Sequence, residues 1–274
     1  MKGLLQEKTN PIIIGKSGVG KTTIINELAY RIQKGLVPDF LKNKIILDIN
    51  PHDVVAGCKY TGTFEKNMAE LIRVCLKYNI ILFIDEIHEI YGIGSHDKED
   101  SGMEAMLKRH LDKSELKVIG ATTEEEYNEY FSIDALKRRF KVIKVFEPNG
   151  KDLYKIIDKI LEYYCIKKCL TFENDQIKNK IIQIIADVTA RENRVYNDIE
   201  NNPSLSSSLI DDAVVEALFE NSSILKPKHF INSIENCYRI QWKAKNNAIN
   251  KLSNLEKIKE KPYTKVLKYD FNKK

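Results

Sequence analysis

At 274 residues, with 43% hydrophobic and 30% charged side chains, the chain has the composition of one or two ordinary globular domains, which excludes a fibrous or disordered class. The net charge of +5 gives no sign of a nucleic-acid partner: residues 251–274 hold eight lysines against Glu256, Glu260 and Asp270, which is the whole excess and leaves the rest neutral. No apolar run approaches the ~20 residues of a membrane span, MKGLLQEKTN lacks the apolar core of a secretory signal, and five cysteines without CxxC spacing suit a reducing cytoplasm.

Residues 11–14 (Pro-Ile-Ile-Ile) read as a short buried strand ending at Gly15. Residues 22–34 carry Ile24, Ile25, Leu28, Ala29 and Ile32 at helical spacing, with Gly35 as a stop. A second strand is expected over 44–49, and a helix over 64–78 through Met68, Leu71, Ile72 and Cys75. The run 80–84 (Ile-Ile-Leu-Phe-Ile) is apolar at every position, as in a central parallel strand covered on both faces. Two more strands read over 118–121 and 142–145. This alternation predicts an α/β fold, a parallel sheet flanked by helices.

Glu147-Pro148-Asn149-Gly150 is the clearest break. Beyond it the strand signal disappears, and 152–163, 175–190, 206–219 and 228–242 read as helices. From about Ala244 the chain is Lys- and Asn-rich and weakly patterned, expected to be helical at first and then frayed. Three parts are therefore expected: an α/β domain over 1–149, a smaller all-α domain over 150–243, and a basic, partly disordered tail over 244–274.

Gly15-Lys16-Ser17-Gly18-Val19-Gly20-Lys21-Thr22 fits GxxxxGK[ST] between a strand and a helical pattern, with Thr23 next on the helix. Glycines let successive backbone N–H groups turn inward onto phosphate oxygens, where side chains would intrude. The following helix adds the positive end of its dipole. Lys21 reaches the β- and γ-phosphates, and the Thr22 hydroxyl can ligate magnesium. The ligand expected is thus ATP with Mg2+.

Asp85-Glu86 closes the all-apolar strand. A carboxylate at that strand end, beside a phosphate loop, can hold magnesium through its water shell (Asp85). The next can polarise a water for in-line attack on the γ-phosphate (Glu86). His88 and Glu89 follow, but the spacing supplies no further ligands for a zinc site.

These stretches together resemble the AAA+ ATPases of the Clp type, protein unfoldases and disaggregases, and most closely the first ATPase ring of two-ring members. The resemblance runs over residues 10–148 through NPIIIGKSGVGKT, GCKYTGTFE from Gly57, ILFIDEIH, GATTEEEY and RRF at Arg138. A fainter echo, PSLSSSLIDDA from Pro203, matches the family's helical lid. It implies a P-loop NTPase (AAA+) sheet domain followed by an all-α lid, and an ATPase that threads polypeptide through a ring, most often a hexamer. By position, Thr123 is similar to the first sensor, which holds the attacking water or γ-phosphate. Arg138 and Arg139 resemble arginine fingers, which serve a neighbouring subunit's site. Lys59 and Tyr60 resemble the loop that grips substrate in the channel, and residues 93–99 form a candidate second channel loop. The implied partners are further copies of the chain in a homo-hexamer or mixed ring, protein substrates, and an adaptor or peptidase; no membrane or nucleic acid is implied.

The sequence departs from the family before Gly15, where the adenine-contacting segment is expected, and in the lid. There Glu200-Asn201-Asn202 stands where an arginine is usual, and Ser206-Ser207-Ser208 replaces further matched positions. Arg191 and Arg194 are the nearby candidates for a lid arginine. Two other readings stay open: a shortened, non-enzymatic subunit that joins rings of a full-length relative, and a nucleic-acid-handling AAA+ motor using the Lys-rich end.

Overall fold

The computed structural model describes residues 9–55, 61–93, 102–113, 115–131, 135–196 and 200–257, which form two compact units divided after Glu147. The first is built on a five-stranded parallel sheet in the order β2-β3-β4-β1-β5. Its strands are β1 (Asn10–Ile14), β2 (Ile46–Ile49), β3 (Ile81–Ile84), β4 (Lys117–Thr122) and β5 (Phe140–Lys144). Side chains alternate across each strand, so the sheet feeds two cores. Ile12, Ile14, Leu82, Ile84 and Val118 pack with Phe64, Met68 and Ile72 of α3 (Thr61–Tyr78) and with Met103 and Leu107 of α4 (Met103–Asp112). On the other face Ile13, Ile81, Phe83, Ile119 and Ala121 pack with Ile25 and Ile32 of α1 (Lys21–Gln33). Each fully buried Ile, Leu or Phe contributes about 1.5–3 kcal/mol relative to exposure. The all-apolar β3 is what this double burial demands.

The strands lie within two residues of their expected bounds. The informative shift is at β4, which runs on to Thr122, a threonine with no solvent exposure at the strand's C-terminal end. In the middle of β4, a Cβ on Gly120 would come within 2.7 Å of the Ile87 side chain. Glycine there lets the turn after β3 lie down on β4. The acidic strand end is thereby held against the end of its neighbour.

The second unit is helical: α6 (Gly150–Lys168), α7 (Asp175–Val188), α8 (Ser204–Phe219), α9 (Pro227–Asn236) and α10 (Trp242–Lys257). Among the described residues two further α-helices are short: α2 (Pro51–Val55) and α5 (Glu124–Glu126). Leu161, Ile185, Leu209, Ala213, Phe230 and Leu252 sit together in one core. The helix expected over 228–242 ends at Asn236, and α10 begins at Trp242. Between them Val195 N–H donates to Arg239 O at 2.9 Å and Gln241 N–H to Asn193 O at 2.9 Å, so the chain leaves α9 to pair with another segment. The segment from residue 244, weakly patterned in the sequence, begins as a helix, and α10 carries it to Lys257. Ala248, Leu252 and Leu255 recur at helical spacing and bury α10 in the core as far as Lys257.

Beneath α8 lies a polar interior. Thr189 and Ser206 hydroxyls are 3.0 Å apart, Ser206 Oγ donates to Asn202 Oδ1 at 2.7 Å, and Asn202 Nδ2 donates to Thr189 O at 3.0 Å. Arg194, only 3% exposed, gives Nε to Thr189 O at 2.8 Å and Nη1 to Glu200 O at 3.4 Å. Its guanidinium is spent inside the unit, which removes it as a candidate for reaching nucleotide. The substituted lid positions are therefore structural: Ser206 and Asn202 close the same network. Arg194→Ala removes a buried side chain and its hydrogen bonds to the Thr189 and Glu200 carbonyls and is expected to cost about 3 kcal/mol in urea unfolding, whereas the exposed Arg191→Ala stays within about 0.5 kcal/mol.

Candidate active site

The phosphate loop joins β1 to α1 at the C-terminal edge of the sheet. Gly15 is buried, and a Cβ there would lie 2.6 Å from the Val145 carbonyl oxygen, so no other residue fits. Gly20 enters α1 at φ 98, in the left-handed region that glycine adopts without strain. Lys21 is 7% exposed, and its Nζ donates to Gly15 O at 2.9 Å, folding the ammonium back over the cradle. Lysine is rarely so buried without a polar partner. Lys16 and Gly18 are half-buried, Val19 is buried, and Ser17 and Thr23 are exposed.

Thr22 Oγ1 donates to Asp85 Oδ2 at 2.7 Å, which brings together residues 63 apart in the chain. The other oxygen, Asp85 Oδ1, accepts from Glu86 N–H at 3.0 Å. A hydroxyl and a carboxylate held side by side are the hard oxygen donors magnesium prefers, so this pair fits the metal.

Glu86 follows at φ 47, a left-handed conformation unusual for a residue with a side chain. Its Oε2 is buried and accepts no hydrogen bond. Burial pushes the carboxyl above its usual range. The Lys21 ammonium opposes that shift, Glu126 and Asp85 add to it, and His88 opposes it. A partly exposed carboxylate that is made more basic, with no hydrogen bond to its Oε2, is suited to taking a proton from water.

Thr123, the expected sensor, caps α5 in a capping box: its Oγ1 accepts from Glu126 N–H at 3.3 Å, and Thr123 N–H donates to Glu126 Oε2 at 3.0 Å. Two groups not expected from the sequence join it. Thr122 Oγ1 donates to Glu126 Oε2 at 2.9 Å, and His88 Nδ1 stands 3.1 Å from Thr122 Oγ1 and 3.3 Å from Glu126 Oε2. Burial raises the Glu126 carboxyl, but the Thr123 and Thr122 hydrogen bonds and His88 outweigh it and hold the group below its ordinary range. The fold thus supplies the neighbour that spacing alone did not: Glu86, His88 and Glu126 each place one ligand-type atom within 4.8 Å of the others. The Thr-x-x-Glu pattern at 123–126 was the available signal for Glu126.

The two candidate finger arginines are not equivalent. Both lie on the 3-10 turn Ala135–Arg139 that leads into β5. Arg139 is ion-paired with Asp112 at the end of α4, while the Arg138 side chain is exposed. Lys59 and Tyr60 fall outside the described residues, as does the candidate second channel loop beyond Ile93. The flanking elements are α2, ending at Val55, and α3, beginning at Thr61. Among the described residues no helix is long and apolar enough to cross a membrane.

Comparison with known proteins bears on the whole arrangement. The family model described as "ATPase family associated with various cellular activities (AAA)" matches residues 11–147, half of the chain. The chaperone protein ClpB of Bacteroides thetaiotaomicron is 37% identical over 222 residues, covering 79% of this chain and 24% of ClpB. The Clp protease ATP-binding subunit ClpL of Staphylococcus aureus is 42% identical over 161 residues, covering 57% of this chain and 23% of ClpL. The chain thus spans about a quarter of the length of these relatives. Among solved structures, the S. cerevisiae Hsp104–ADP complex is similar with a TM-score of 0.70 and 28% identity, over 85% of this chain and 39% of that one. An Hsp104–casein complex from the same yeast gives 0.67 and 29%, over 81% and 37%. The chain belongs to the AAA family of ATPases, and its relatives are of the Clp type.

Proposed function

We propose that this chain is an ATP-binding and ATP-hydrolysing module of a Clp-type protein remodelling machine, which unfolds polypeptides by drawing them through a ring. The observation that carries the reading is the 2.7 Å bond from Thr22 to Asp85, which sets the phosphate loop and the acidic strand end around one point, with Glu86 beside it.

In this reading Gly15 to Gly20 enclose the triphosphate with backbone N–H groups, and the Lys21 ammonium turns from Gly15 O to the β- and γ-phosphates. Thr22 and Asp85 hold Mg2+, which when bound neutralises phosphate charge. Glu86 accepts the proton of the attacking water at its carboxylate, whose Oε2 makes no hydrogen bond. Thr123, fixed by the capping box, orients that water or the γ-phosphate. Arg138 of an adjacent copy balances charge on the transferred phosphoryl, and Arg139 braces the turn through Asp112.

The protein-handling part of the reading rests on likeness: Hsp104 has been solved with ADP and with casein. Lys59 and Tyr60 would grip substrate, since an aromatic ring packs on any extended chain with little regard for sequence. The assembly is a homo-hexamer or mixed ring working on protein substrates, with an adaptor or peptidase as further partner. The free Cys75, Cys165, Cys169 and Cys237 suit the reducing cytoplasm.

Calorimetry with ADP, which needs no turnover, tests the binding half. The whole chain is expected to bind Mg-ADP, and Lys21→Ala to weaken it by about 10–100-fold through loss of a charge-assisted phosphate contact. A chain that takes up neither ADP nor ATP at millimolar concentration contradicts the proposal.

A further inference from the structure

We propose that Glu126 is a positioning residue for hydrolysis, keeping the His88 imidazole off the Glu86 carboxylate so that Glu86 stays free to act. The inference rests on Glu86 as the base and follows from proton accounting around one oxygen. The single proton of the Thr122 hydroxyl goes to Glu126 Oε2 at 2.9 Å. Toward His88, Thr122 therefore offers only a lone pair, at 3.1 Å, and the Glu126 carboxylate offers only acceptors, at 3.3 Å. Two acceptors facing one ring nitrogen require that His88 Nδ1 carry the hydrogen.

The same nitrogen lies 3.7 Å from Glu86 Oε2, beyond hydrogen-bond reach, and that oxygen is buried with no hydrogen-bond partner. Two carboxylates thus compete for one N–H. A shift of the ring by roughly 1 Å would carry the bond from one to the other. Glu126 holds it in this structure because Thr122 adds a second acceptor beside its own. Were the ring to move, its N–H would bond one oxygen of the Glu86 carboxylate and leave the group a weaker base for the water proton.

Glutamine at the third position of a capping box serves as well as glutamate, so Glu126→Gln keeps the cap on Thr123 and removes the charge that retains His88. The test is a cycle of Glu126→Gln, His88→Ala and the double variant, with steady-state ATP hydrolysis fitted for kcat and KM. Glu126→Gln is expected to lower kcat roughly tenfold and leave KM within about twofold. Adding His88→Ala should return kcat to that of His88→Ala alone, because with no ring to trap Glu86 the holder is idle. Losses that multiply in the double variant, or an unchanged kcat in Glu126→Gln, overturn the proposal.

Urea midpoints show whether each variant is folded. Should Glu126→Gln fail to fold, Glu126→Asp keeps the charge but shortens its reach and is expected to give the same His88-dependent loss. Glu86→Gln measured alongside separates the two levels. Wild-type turnover in that variant refutes the base itself, whereas an inactive Glu86→Gln with a multiplicative cycle refutes only the part assigned to Glu126.

Discussion

Glu86→Gln is expected to lower ATP turnover by about 10²–10⁴-fold, the range a positioned general base supplies, while nucleotide affinity changes little. The substitution is close to isosteric, and the contacts that tie this segment down do not run through the side chain. Glu86 N–H, not its carboxylate, bonds Asp85, and Ile87 packs beneath the turn against Gly120. Because Glu86 Oε2 accepts no hydrogen bond, converting that oxygen to an amide breaks none and gives up only the charge's attraction to Lys21 and His88, offset by relief from Glu126 and Asp85. The variant should melt like the wild type and lose only the chemical step. ATP hydrolysis and ADP calorimetry on the same preparations separate these outcomes. Equal turnover in the two proteins would show that another group, or no group, takes the proton.

How much of this site the sequence discloses depends on how far apart its parts lie. The phosphate loop is legible because every residue type in Gly15 to Thr22 answers to the ligand within one short stretch. Asp85 and Glu86 are legible because the apolar run they close follows a phosphate loop, the context that gives two carboxylates at a strand end their meaning. Thr122, His88 and Glu126 are legible only in part. The Thr-x-x-Glu spacing announces a cap, but His88 comes to it across 34 residues, through the β3–β4 pairing and the space left by Gly120. The two arginines of the Arg138-Arg139 pair look interchangeable in the sequence and differ once Asp112 claims one of them.

In the second unit the sequence discloses the helices better than what seats them. Lysine and asparagine dominate residues 244–257, and that polar majority hides the Ala248, Leu252 and Leu255 stripe that seats α10. Arg194, a candidate lid arginine in the sequence, is drawn inward by the Thr189 carbonyl at the end of α7. The break at residues 237–241 is set by pairing with residues 193–195, which no local pattern encodes. Helix periodicity reports burial on one element. It is silent on polar atoms that meet from three.

The largest loss is expected at Arg138. An arginine that neutralises charge on a transferred phosphoryl is worth about 10³–10⁵ in rate, so Arg138→Ala should be nearly inert. Arg139→Ala, which gives up a partly exposed ion pair with Asp112, should cost about 1 kcal/mol of stability and far less activity. What distinguishes a finger from an arginine acting in its own subunit is complementation. Arg138→Ala keeps Glu86 and lacks the finger; Glu86→Gln keeps the finger and lacks the base. In randomly mixed rings of equal proportions, about a quarter of the interfaces pair an intact Arg138 with an intact Glu86, so two nearly inactive proteins should together recover about a quarter of the wild-type rate per site. If Arg138 acts within its own chain, every subunit in the mixture still lacks one of the two groups, and no activity returns at any ratio. Recovery that rises and falls with the mixing ratio would therefore place one subunit's arginine in the next subunit's reaction, and would tie hydrolysis to assembly.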